Sequence, residues 1–276
     1  MSYFKTADGT QLYYSVWGKG SPIVLIHGGN LGSDVWEFQV PYLTEQGYSC
    51  IVYDQRGFAR SDCSSGGYDF DTYSDDLAAL IEHLDLKRFS VVAFSHGGGL
   101  FGRYLTRYGS SKVDKLVLLS TIMPAFRKSA DNPEGMDRSV IFDPFYASMK
   151  KDRPGIFSDS MDAFFAPDTA ETPVSDSLKR WVLNTALRSS LMPMLEIYKS
   201  SNETDFRKDL PSLVMPTLLV HGAADVFAPL EVTAQRVNQA VKGSRLEIYK
   251  GASHALFFTH QDRLNRQIAE FVENGN

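Results

Sequence analysis

Only two of the 276 residues are cysteine, Cys50 at the start of an apolar run and Cys63 in a polar turn, so neither a disulfide framework nor a cysteine-rich metal site is within reach. That usage suits a reducing compartment. No apolar run approaches the roughly 20 residues of a membrane helix. The opening segment, Met1 to Thr10, lacks the charged-then-apolar profile of a signal peptide. A cytoplasmic protein with no membrane partner is expected. Positive charge is also scarce: 28 Lys and Arg against 33 Asp and Glu give a formal net charge of −5, and no basic block stands out. Nucleic acid and anionic surfaces are therefore excluded as partners. There is no internal repeat and no low-complexity linker, and no pair of His, Cys or acids has metal-ligand spacing. The Asn202-Glu203-Thr204 sequon reads as chance in such a compartment.

What is present is enough apolar residue, 43% of the chain, to bury one full core. Residues 4–16 read as a hairpin around Asp8-Gly9. Continuous apolar strands follow at 22–27 and 50–54, then at 90–94 and 115–120, and such runs imply a sheet covered on both faces. Leu77, Leu80, Ile81 and Leu84 fall at helical spacing behind an Asp71/Thr72 cap, and Leu100, Phe101, Tyr104, Leu105 and Tyr108 form a similar stripe. Alternation of strand and helix predicts a mostly parallel, doubly wound α/β sheet. The rhythm stops at about Met123 and resumes with a strand at 217–221, a helix at 230–241, a strand at 246–249 and a final helix marked by Leu264, Ile268, Phe271 and Val272. The organisation expected is a core of 1–122 and 210–276 with a helical cap inserted at 123–209.

The chain is organised around Ser90 to Gly99, a buried strand that ends in Ser95 between small residues. That is the form of a nucleophile elbow, Ala93-x-Ser95-x-Gly97, with Ala in place of the usual first Gly. Gly97-x-Gly99-x-x-Gly102 also matches a dinucleotide-binding fingerprint. That reading requires an acid at the end of the next strand, where Ser120-Thr-Ile-Met stands instead, and a position on the first strand, which this one is not.

A serine nucleophile needs a base, and the base needs a carboxylate to fix its tautomer. Of the six histidines, His254 lies just past the last strand, and Asp225 lies just past the preceding one. Ser95, Asp225, His254 is the order of an α/β-hydrolase triad. The backbone amides of Gly29 and His96 are the candidate oxyanion donors. His27 ends a strand beside Gly28-Gly29 and orients that loop or touches substrate; His83, His221 and His260 read as surface, packed-strand and helix-end residues.

These residues together resemble the α/β-hydrolases of the non-haem chloroperoxidase, perhydrolase and arylesterase group over nearly the whole chain. The matching blocks are His27-Gly28, Tyr53 to Ser61, Phe94 to Gly99, Arg103-Tyr104, Asp131 to Gly135, Glu203 to Phe206 and His221 to Asp225. The resemblance implies a Ser95-Asp225-His254 triad, no cofactor, a helical cap over an ester-binding pocket and, in some members, a homo-oligomer. It departs where the group often has an aromatic then Pro after His-Gly, here Gly29 and Asn30, and Met after the serine, here His96. The expected activity is a serine hydrolase acting on carboxylic esters or lactones. The alternatives are cofactor-free perhydrolase or haloperoxidase chemistry, or a small-molecule receptor on the same fold. Candidate substrate contacts are His27, Asn30, Phe126, Phe142, Phe145 and Trp181.

Overall fold

The computed structural model describes residues 2–140 and 142–275. In chain order the elements are β1 (Ser2–Lys5), β2 (Gln11–Gly18), β3 (Pro22–Ile26), α1 (Gln39–Glu45), β4 (Ser49–Tyr53), α2 (Phe70–His83), β5 (Phe89–Phe94), α3 (His96–Tyr108) and β6 (Val113–Leu119). Then come α4 (Phe142–Asp159), α5 (Met161–Phe165), α6 (Asp176–Leu187) and α7 (Leu191–Glu203). The chain returns through β7 (Thr217–Gly222), α8 (Ala234–Ala240), β8 (Arg245–Tyr249), α9 (Leu256–Thr259) and α10 (Gln261–Asn274).

The eight strands form one sheet in the order β1-β2-β4-β3-β5-β6-β7-β8, with the β1–β2 and β2–β4 pairings antiparallel and the rest parallel. Helices cover both faces, which is why β5 and β7 are buried along their whole length, as the unbroken apolar runs predict. Each fully buried Ile, Leu or Val in these strands contributes about 1.5–3 kcal/mol of burial. The register aligns Ile26 with Ala93, Phe94 with Leu119, and Leu119 with Val220. The carboxyl ends of β3, β5, β6 and β7 therefore open into neighbouring loops.

Two sequence expectations shift. The cap of α2 is Asp69, whose carboxylate accepts from the Thr72 amide at 2.9 Å, not Asp71/Thr72. The helix expected at 230–241 begins only at Ala234, because the Thr233 hydroxyl donates to the Ala228 and Pro229 carbonyls and closes a turn first. Four α-helices stand between β6 and β7 among the described residues, α4 to α7. No described helix is long and apolar enough to cross a membrane.

Beyond β4 the chain turns through a fully buried ion pair: Arg56 Nε and Nη2 donate to the two Asp76 oxygens at 2.6 Å each, and both side chains are 2% exposed. Nη1 reaches Asp8 in the β1–β2 turn at 2.9 Å, so one guanidinium ties α2, the hairpin and the loop after β4. Removing one partner strands a buried charge. Asp76→Asn should lower unfolding free energy by about 3–5 kcal/mol in urea melts, and a loss under about 1 kcal/mol would show that Arg56 finds water instead.

Candidate active site

Ser95 sits between β5 and α3 with φ +52° and ψ −116°, a backbone shape that costs an L residue on the order of 1–3 kcal/mol. The Ser95 amide donates to the Leu119 carbonyl at 2.8 Å, which anchors the turn to β6. Helix α3 must then begin against β3. A Cβ at Gly97 would lie 2.8 Å from the Ile26 carbonyl oxygen and 2.9 Å from that of His27, both unyielding backbone. Only glycine fits there. Gly99 and Gly102 meet the Phe206 ring and Met123 at 2.6 and 2.8 Å on the same construction. The glycines of the dinucleotide fingerprint thus pack against protein, leaving no cradle for a pyrophosphate.

His254 Nε2 is 3.0 Å from Ser95 Oγ, and His254 Nδ1 is 2.7 Å from Asp225 Oδ2. A carboxylate at Nδ1 fixes the proton there, so Nε2 is the acceptor facing the Ser95 hydroxyl. Asp225 also closes a turn: Oδ1 accepts from the Phe227 and Ala228 amides at 2.9 Å each. Burial pushes its carboxyl pKa up, but attraction and hydrogen bonding from His254 outweigh that and hold it below the usual range. The His254 ring is walled by Phe94, Phe164 and Phe227 at centroid distances of 4.8, 5.9 and 5.6 Å.

The loop after β3 is held from β4. Gln55 donates its amide to His27 Nε2 at 3.0 Å and its side-chain nitrogen to the His27 carbonyl at 2.7 Å, while His27 Nδ1 donates to the Gly28 carbonyl at 2.7 Å. Asp54 accepts from the Ser33 amide at 2.6 Å and from Arg60 Nε at 2.7 Å. His27, expected as a substrate contact, is fully buried and lies outside the cavity, because both its ring nitrogens are spent on this loop.

A cavity of about 430 Å³ opens at Ser95 and His254. Of the residues selected from sequence, Gly29, Asn30, His96, Phe126 and Phe145 line it. Asn30 takes φ +67°, which Asn tolerates. Phe142 and Trp181 are corrections: neither lines the cavity. Phe142 is stacked between Tyr146 and Tyr198, inside the helical layer, and Trp181 packs edge-on against Phe258 of α9. Sequence reasoning missed Phe164, Phe227, Tyr198, Ser201 and Asn202, all of which line the wall. The helical spacing of 198, 201 and 202 was the available signal. Among the described residues, no group of His, Cys, Asp or Glu could hold a metal ion.

A sequence profile of the alpha/beta hydrolase fold matches residues 21–148. Over 263 residues, 95% of each chain, the sequence is 43% identical to a Synechocystis protein provisionally named a non-haem chloroperoxidase. A bromoperoxidase from Bacillus anthracis superposes with a TM-score of 0.93 at 35% identity, covering 99% of this chain and 100% of that one. An esterase from Exiguobacterium antarcticum does so with the same TM-score at 29% identity and 99% coverage of each. The chain belongs to the α/β-hydrolase family, among the relatives of the non-haem chloroperoxidases.

Burial drives the imidazole pKa of His27, His96 and His221 down, furthest for His96, and outweighs the Asp54 carboxylate near His27 and the Asp225 carboxylate near His221. Below about pH 6.5 the unfolded chain protonates these rings while the folded one does not, so their stabilisation is full above that pH and is lost as pH falls toward the folded values. Asp54 and Asp225, held low, add a further loss at more acidic pH still. Urea midpoints should drop between pH 6.5 and 5.5, at up to about 1.4 kcal/mol per pH unit per histidine, and His96→Met should flatten that slope. Equal midpoints at pH 7.5 and 5.5 would contradict this assignment.

Proposed function

We propose that the protein is a serine hydrolase that cleaves carboxylic esters or lactones through an acyl-enzyme on Ser95. The observation that carries this reading is the continuous Ser95–His254–Asp225 hydrogen-bond line, which ends at a mostly apolar cavity. Ser95 Oγ attacks the carbonyl carbon as His254 Nε2 takes the hydroxyl proton, and Asp225 stabilises the resulting imidazolium. The oxyanion is met by the amides of Gly29 and His96. His96 is the first residue of α3, so its N–H has no partner within the helix, and the helix dipole favours negative charge there. Collapse breaks the ester C–O bond, and the leaving alkoxide takes the proton from His254. Water then adds to the acyl-enzyme with His254 again as base, and the free acid leaves. A lactone opens by the same steps.

The helical layer at about 123–209 acts as the cap, with Phe126 and Phe145 as apolar lining. The likeness to the Exiguobacterium esterase supports the hydrolytic reading. A second reading, peroxide-dependent perhydrolysis, is favoured by the haloperoxidase names of several relatives. On this reading peroxide replaces water in the second step, and the acyl-enzyme is released as a peracid. Asn30, in place of the group's proline, argues that hydrolysis is the faster path.

Ser95→Ala should lower kcat on a 4-nitrophenyl ester by about four orders of magnitude or more while leaving the circular dichroism spectrum and melting curve native; retention of most activity would refute the nucleophile. With straight-chain acyl esters, kcat/KM should climb with length by up to about 0.8 kcal/mol per buried methylene until the cavity is full. Phe145→Ala should shift the preferred length, and Trp181→Ala should not. A flat profile, or peracid formation outpacing hydrolysis at modest peroxide, would overturn the respective parts of this reading.

A further inference from the structure

The cavity is not evenly apolar. Helix α7 turns Ile197, Tyr198, Ser201 and Asn202 toward it, one helical face that changes from carbon to hydrogen-bonding groups over a single turn. Ser201 Oγ lies 3.0 Å from His96 Nδ1. The other ring nitrogen, His96 Nε2, is buried without a hydrogen-bond partner, since the ring is packed on Phe70 at 4.5 Å and edge-on to Tyr73 at 5.2 Å. His96 can therefore spend its polarity only on Ser201. A hydroxyl has one donor and two acceptor sites, and this contact occupies one of them. The rest belong to a half-buried hydroxyl on the cavity wall, held in a fixed orientation by a buried ring. Asn202, whose side-chain nitrogen donates to the Tyr198 carbonyl at 2.8 Å, stands beside it.

The position of this hydroxyl says which part of a substrate it would meet. The leaving oxygen has to face His254 Nε2 to receive its proton, and that side is walled by Phe164 and Phe227, with the exposed Val226 also in the lining. Ser201 is on the His96 side, where the Gly29 and Ile197 surfaces also meet. The acyl portion is the part that points there. We propose that Ser201, oriented by His96, is a specificity-determining contact, and that the substrate is an ester or lactone whose acyl chain carries a second uncharged hydrogen-bonding group, an oxo or hydroxyl function. This rests on the ester-hydrolase reading above. A buried polar contact discriminates against the analogue lacking its partner more sharply than an apolar wall discriminates one methylene from the next.

The experiment compares 4-nitrophenyl hexanoate with its 4-oxo and 5-oxo analogues, each rate normalised to hydroxide-catalysed hydrolysis of the same ester. Wild-type protein should favour at least one oxo ester in kcat/KM. Ser201→Ala should reduce that ratio by about three- to tenfold, the worth of one neutral hydrogen bond. Ser201→Thr, which keeps the hydroxyl, should preserve it. Absence of any oxo preference in wild type, or a ratio unchanged in Ser201→Ala, overturns the proposal while turnover of the plain ester leaves the hydrolase reading standing. If none of the esters is turned over, that reading fails by itself. Calorimetric binding of the same esters to Ser95→Ala, and to the same variant carrying Ser201→Ala, then reads the preference without turnover, and equal affinities for oxo and plain esters overturn the proposal.

Discussion

The left-handed turn at Ser95 is the constraint on which the rest of the molecule depends. An L residue at φ +52° does not hold that shape unaided. It is held because its amide bonds to β6, because α3 starts hard against the β3 carbonyls, and because that approach leaves room for no side chain at Gly97. The result is a hydroxyl lifted off the end of the sheet at the first turn of a helix. Strain at this point is offset by the buried strands on either side.

The other parts of the site are fixed in relation to that turn by separate devices. The loop after β3 is clamped by Gln55 and Asp54 from the next strand over, so the Gly29 amide is presented by a rigid loop even though it belongs to no regular element. Asp225 is locked by two backbone amides before His254 contacts it. Both use buried polar groups that are hydrogen-bonded at nearly every atom, Gln55 Oε1 being the exception, which is how an apolar interior tolerates them. His96 likewise leaves one ring nitrogen unpartnered, and it is also the residue that connects Ser95 to α7 through Ser201.

The sheet was legible in the sequence because strands buried on both faces leave continuous apolar runs, and the breaks after them fall where the loops of the site begin. Ser95, Asp225 and His254 stand out because each lies just past a strand end, and strand ends are the best-marked points of such a chain. The cavity wall was less legible. Phe142 and Trp181 are expected at the wall as aromatics of the inserted segment, yet in a helical layer aromatics also form the layer's own packing, and these two do. Ser201 and Asn202 look like solvated polar residues until the register of α7 is known. His27 carries no signal that separates a loop-holding imidazole from a substrate contact, because its partners, Gln55 and Gly28, are matched to it only by the pairing of β3 with β4.

On the serine-hydrolase reading, Ser95 is the group that becomes acylated. Incubation with a 4-nitrophenyl alkylphosphonate ester, which phosphonylates an activated serine irreversibly and stops there, followed by peptide mass spectrometry, tests it directly. One stoichiometric adduct is expected, on Ser95, formed with release of one equivalent of 4-nitrophenol and abolished in His254→Ala. An adduct on another residue, or none on Ser95 in folded protein, would contradict it.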